Sequence, residues 1–209
     1  FEAPVAKQLI FQALDENFMA VQSMRSSAFV HPGEQLSCLG CHEDTHAAAQ
    51  RERFPLAMQR PPSKLIPECG AVEPVSYYRQ IKPIFEQRCV PCHVEKNTAL
   101  QDMSYDKLKE DYTFWFSGAM FTDMTTAYSG VHGGSRTIPG RFGAQASKLG
   151  KSLYDETHKD AITAEDRHQI VQWLDCNSLR LGSYTREDAQ LKGELVWPAL
   201  DVDPDNPVG

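Results

Sequence analysis

The chain has 209 residues, 41% hydrophobic and 23% charged, proportions that suit a soluble globular protein and exclude a disordered one. No apolar run approaches the roughly 20 residues that a membrane helix needs, so no membrane span is expected. Against 21 Lys and Arg stand 28 Asp and Glu, a net charge of -7, which argues against a nucleic-acid partner and leaves room for a partner with a basic surface.

Residues 1–37 read as an extended lead-in. Leu9-Ile10-Phe11 and Met19-Ala20-Val21 flank Asp15-Glu16-Asn17 in a hairpin-like arrangement, and His31-Pro32-Gly33 predicts a turn. Cys38-Leu39-Gly40-Cys41-His42 follows, and Cys89-Val90-Pro91-Cys92-His93 repeats its pattern. Each is Cys-x-x-Cys-His, the attachment signature of c-type haem; with six Cys and seven His in the chain, one chance copy is expected about 0.006 times. Two thiols three positions apart on one helical turn reach two substituents of a porphyrin edge, and the next residue places an imidazole beneath the iron. A thioredoxin-like pair needs no histidine directly after it, and a zinc site built from both pairs does not explain a histidine at the same place twice.

The first motif opens a predicted helix over Glu43 to Arg53. Pro55, Pro61, Pro62, Pro67 and Pro74 then mark a stiff linker and a domain boundary. Tyr77, Ile81, Ile84 and Phe85 recur at helical spacing ahead of Cys89, with Pro83 expected to kink that helix or start a new one. Further helices are expected over 104–118 and from Ala146 to Tyr154, with a Gly-rich loop over 128–143. The last helix starts at Thr163-Ala164-Glu165-Asp166, a capping box with Asp for Glu, and carries an apolar stripe of Ile170, Trp173 and Leu174. The expected fold is thus mainly α, with two haem-binding segments. It divides into the lead-in with the first haem segment (1–68), a small class I cytochrome c-like helical domain (69–185) and an acidic tail (186–209).

Beyond the motifs, the runs at 11–26, 32–43, 60–65, 81–93, 138–149 and 158–177 occur in the order found in the C-terminal dihaem region of proteins related to the hydrazine synthase alpha subunit, which the chain resembles over roughly residues 8–182. In that family such a region usually follows a β-propeller, which this chain does not contain.

His42 and His93 are the expected proximal iron ligands. For the second haem, His158 lies in the loop before the last helix, where a returning chain presents an imidazole to the iron, and the resemblance implies the same position. Met120 and Met124 are the alternatives there. For the first haem, His31 is the favoured distal ligand, with Met58 next. His46 is a further candidate, because in hydrazine synthase alpha subunits a tyrosine four residues after the motif histidine takes the iron. His132 is assigned no iron, and His168 is expected to face outward. Tyr77, Tyr78, Phe85, Tyr105, Trp115 and Trp173 are expected to pack on porphyrin and on each other. Arg136 and Arg141 are candidates for haem propionates or for exposed loop charge. Cys69 and Cys176 are expected to form a disulfide in an oxidising compartment, the other reading being two buried thiols.

The function expected is electron transfer through two c-type haems outside the cytoplasm, in the periplasm or extracellular space. Phe1-Glu2-Ala3-Pro4 lacks a signal peptide, so the sequence reads as a mature form or a fragment. Two irons with both axial positions filled exchange electrons and bind no substrate, and the separation of 51 positions from His42 to His93 favours haems close in space. Redox proteins, or further copies in a longer haem chain, are the expected partners. The alternatives are a haem enzyme acting at an open first haem, and the electron-transfer module of a larger propeller-containing protein.

Overall fold

The computed structural model describes residues 1–24, 27–36, 59–66, 72–98, 100–113 and 139–198. Asp15 turns the lead-in back on itself: its Oδ1 accepts from the backbone N–H of Asn17 and of Met19, each at 2.9 Å, while Phe18 adopts a φ of 61°. On either side β1 (Gln12–Leu14) and β2 (Ala20–Ser23) pair antiparallel, Gln12 opposite Ser23, with an irregularity between Ala13 and Leu14. A bridge between Leu9 and Ala28 and a hydrogen bond from Met24 N–H to the Phe11 carbonyl carry the pairing into the apolar run 9–11.

Residues 77–95 form one helical rod of alternating width. Tyr77–Ile81 and Phe85–Cys89 are wide turns, whereas α1 (Lys82–Ile84) and α2 (Val90–Glu95) are α-helical. Two prolines account for the alternation. Pro83 and Pro91 supply no N–H, and in an α-helix each ring would strike the carbonyl four residues back. Just before each proline the chain bonds five residues back instead, Lys82 N–H to the Tyr77 carbonyl and Val90 N–H to the Phe85 carbonyl. The wider turn accommodates the ring. Tyr77, Ile81, Ile84 and Phe85 form the buried face of the rod.

α3 (Tyr105–Asp111) follows, the rest of the predicted helix over 114–118 lying outside the described residues. The single helix expected from Ala146 to Tyr154 is instead two, α4 (Gly143–Ala146) and α5 (Lys148–Ser152). The break falls at Ser147, whose extended backbone lets its Oγ accept from Gly150 N–H at 2.8 Å, so the residue caps α5 rather than continuing α4. α6 (Ala164–Asp175) begins at the Thr163 cap, Oγ1 accepting from Asp166 N–H at 3.1 Å. Its buried Trp173 lies against Tyr77 with ring centroids 5.7 Å apart, and Asp166 pairs with Arg88 of the rod at 3.1 Å. No helix among the described residues is long and apolar enough to cross a membrane.

Two features depart from the expected division. Residues assigned to the acidic tail form α7 (Glu187–Leu191), where buried Gln190 accepts from the Gly182 and Ser183 N–H groups and donates to the Ser183 and Thr185 carbonyls. Arg79 of the rod donates to the Gly193 carbonyl at 3.2 Å, so this segment is tied to the motif helix. The hairpin likewise belongs with the helices, and Met19 joins the hydrophobic core around Tyr77, Phe85 and Trp173.

A buried carboxylate makes that joint. Asp175, at the end of α6, accepts from Ala20 N–H through Oδ2 at 2.8 Å and from Ala144 N–H through Oδ1 at 2.7 Å, so strand, α4 and α6 meet on one side chain. Gly143 has a φ of 57°, and a Cβ built there would lie 2.0 Å from Asp175 Oδ1, so only glycine permits the approach. Burial pushes the Asp175 carboxyl up to about 6, against the pull of the two N–H donors. His168, expected to face outward, is half-buried and stacks on Phe18 at 4.2 Å, helping to clamp the hairpin.

Candidate functional site

The rod delivers three chemical groups within one turn. Cys89 ends the second wide turn and is half-buried against the core, Cys92 is exposed on α2, and both are free thiols. Burial, with smaller contributions from Asp166 and Cys92, pushes the Cys89 thiol up to about 11. A dithiol redox pair requires a thiol lowered toward neutrality, so this pair is poorly suited to disulfide exchange.

His93 follows at once. Its Nδ1 lies 2.7 Å from Thr98 Oγ1, and because that hydroxyl also donates to the His93 carbonyl at 3.3 Å, it accepts from the ring. Burial first, then the neighbouring His158 and Lys96, hold His93 below the ordinary histidine value, with a hydrogen bond to the Leu100 carbonyl opposing. A neutral imidazole is the form that binds metals.

His158 approaches from the loop between α5 and α6. Its Nδ1 lies 2.8 Å from Asp155 Oδ1, and the same oxygen accepts from the backbone N–H of Thr157 and of His158, each at 2.9 Å. The His93 and His158 ring centroids are 6.1 Å apart, with their planes inclined by 31°. Two metal–nitrogen bonds of about 2 Å, together with the half-width of each imidazole, add to roughly 6 Å, so the separation fits one metal atom between the two rings. Among the described residues no group of three or more His, Cys, Asp or Glu is placed to hold an ion. Cys89, Cys92, His93 and His158 thus offer two thiols and two imidazoles, the donor set that a covalently attached iron porphyrin would use.

The other expected residues divide by position. Cys38, Cys41, His42, His46, Met58, Cys69, Trp115, Met120, Met124, His132 and Arg136 lie outside the described residues. His31 is exposed on its turn, its ring edge-on to Phe29 at 5.4 Å. Cys176 is half-buried at the C-cap of α6, and Arg141 is exposed ahead of α4. The aromatic residues pack on one another: Tyr78, Tyr105 and Trp173 all lie within 5.7 Å of the Tyr77 centroid, with Phe85 at 6.3 Å. Sequence reasoning missed Asp155 and Thr98. The Asp-x-x-His spacing of Asp155 and His158 is a turn signal that would have suggested the first; nothing local points to the second.

The curated proteins and the solved structures yield no match to this chain. Over residues 1–43, the hairpin and the segment into the first Cys-x-x-Cys-His, the chain matches the family model of the hydrazine synthase alpha subunit middle domain, which relates it to that family.

Proposed function

We propose that this chain is a dihaem c-type cytochrome that passes electrons between redox proteins outside the cytoplasm. The observation that carries the reading is the His93–His158 pair, 6.1 Å apart at the end of the rod that presents Cys89 and Cys92. Haem bound there supplies a one-electron iron couple. Cys89 and Cys92 would hold the porphyrin through thioether bonds, and His93 and His158 would both bind its iron, which would leave no open site for a substrate. The buried contact of Tyr77 with Trp173 fixes the rod against α6, so the His93 side is anchored in the core. In this reading Cys38, Cys41 and His42 would hold the first haem, with His31 as its other iron ligand. The net charge of -7 suits a basic partner, with an association rate that falls as salt rises.

The test is the purified protein and its His158→Ala variant. Two haems by mass are expected, together with a low-spin second iron that turns high-spin and binds carbon monoxide in the variant. Colourless protein, or a variant with an unaltered spectrum, overturns the reading. Carbon monoxide binding by the reduced wild-type protein would point instead to an open first haem and an enzyme.

The family match over residues 1–43 favours a second reading, that this is the electron-transfer part of a longer polypeptide. A gene in which a propeller is encoded in frame upstream of Phe1 supports it.

A further inference from the structure

We propose that Asp155 is a positioning residue that orients the His158 imidazole and makes it a stronger electron donor than the His93 imidazole. The inference rests on the proposed haem site and concerns how this chain tunes it. One oxygen, Asp155 Oδ1, gathers three N–H groups: Thr157 N–H and His158 N–H, which set the turn, and the His158 Nδ1–H, which sets the ring. Backbone and side chain of the ligand are thus fixed by a single group, on a loop that would otherwise leave a half-exposed histidine free to rotate.

The loop is tied down at its far side as well. Arg167 of α6 donates to the Lys159 carbonyl, and its guanidinium lies 5.1 Å from the centre of the Tyr154 ring. Ala161 N–H closes the turn onto the His158 carbonyl at 2.9 Å. The chain is therefore held on both sides of His158, and Asp155 Oδ1 is hydrogen-bonded to the ring itself.

The two faces differ in charge. His93 donates to a hydroxyl, Thr98 Oγ1, whereas His158 donates to a carboxylate. A carboxylate on Nδ1–H raises the basicity of Nε2, which strengthens the bond to the metal and favours its more oxidised state. Removal of such a partner typically weakens metal ligation about 10- to 100-fold.

The experiment compares Asp155→Asn, Asp155→Ala and His158→Ala in the full chain with both haems attached, by optical and paramagnetic resonance spectra and by redox titration. Asp155→Asn keeps an oxygen for all three N–H groups and removes the charge; it is expected to stay low-spin with the midpoint potential of one haem shifted positive. Asp155→Ala is expected to release the ring, giving a high-spin fraction and carbon monoxide binding of the His158→Ala type. If both Asp155 variants match the wild type in spectrum and potential while His158→Ala opens the iron, the inference is wrong and the haem site stands. An unaltered His158→Ala protein overturns the site itself. Should Asp155→Ala fail to fold, the potential of the isosteric Asp155→Asn decides alone.

Discussion

Asp175→Asn tests whether a buried charge links the hairpin to the helices. The wild-type carboxyl is raised from 3.8 to about 6 by burial. At about 1.4 kcal/mol per pH unit, full ionisation then removes about 3 kcal/mol of folding free energy. The direction follows from the two pKa values. Below 3.8 both states hold the proton and nothing is lost; between 3.8 and 6 the unfolded chain releases it while the folded chain retains it, so stability falls as pH rises. Above 6 the loss is complete. The Asn variant carries no charge but turns one acceptor into a donor, leaving either Ala20 N–H or Ala144 N–H unsatisfied at a cost of about 1–3 kcal/mol. At about pH 4 the variant should therefore be the less stable protein by that amount, and by about pH 8 the deficit should close or reverse. Urea denaturation of both proteins across this range gives the difference, in which titrations elsewhere cancel. A deficit that stays constant, or widens as pH rises, would refute the reasoning, because it would mean that Asp175 ionises in the folded state as easily as in the unfolded one.

Gly143→Ala should cost more than about 2 kcal/mol, because the new methyl meets Asp175 Oδ1 at 2.0 Å on a backbone with positive φ; urea titration reads the loss, and a midpoint within error of the wild type counts against the contact. Thr163→Ala removes the cap of α6 and should lower stability by about 1 kcal/mol, measured the same way, with Thr163→Ser recovering most of it. Tyr105→Phe removes a buried hydroxyl that donates to the Ser178 carbonyl at 2.9 Å, and a loss of about 1 kcal/mol is expected from thermal or chemical denaturation. Thr98→Val should leave the second iron low-spin and move its potential less than Asp155→Asn does, because a neutral acceptor is lost rather than a charged one; redox titration of the two variants side by side decides.

The Cys-x-x-Cys-His cluster is legible in the chain because it is local. Cys-x-x-Cys-His brings its groups together within one helical turn whatever the rest of the protein does, and Thr163 caps α6 by bonding a residue three positions away. Turn chemistry at Asp15 is equally short in range. The meeting of His158 with His93 across a separation of 65 positions is of another kind: histidine has no propensity that selects its partner, and here the resemblance to a family and the place of the loop before the last helix suggested what residue chemistry alone left open among several methionines.

What needed the three-dimensional structure is the set of contacts that cross segments. Asp175 reads as an ordinary acidic residue at the end of a helix, yet it receives Ala20 from 155 positions earlier and makes the lead-in part of the helical core. His168 has the spacing of an outward residue until the hairpin turn brings Phe18 over its ring. α7 is too short to leave a periodic trace, and it is held by the side chain of one glutamine. Local hydrogen bonding is written in neighbouring residues, whereas the partner of a buried polar group is chosen by the packing of the whole chain, which must satisfy that group or leave it unpaired.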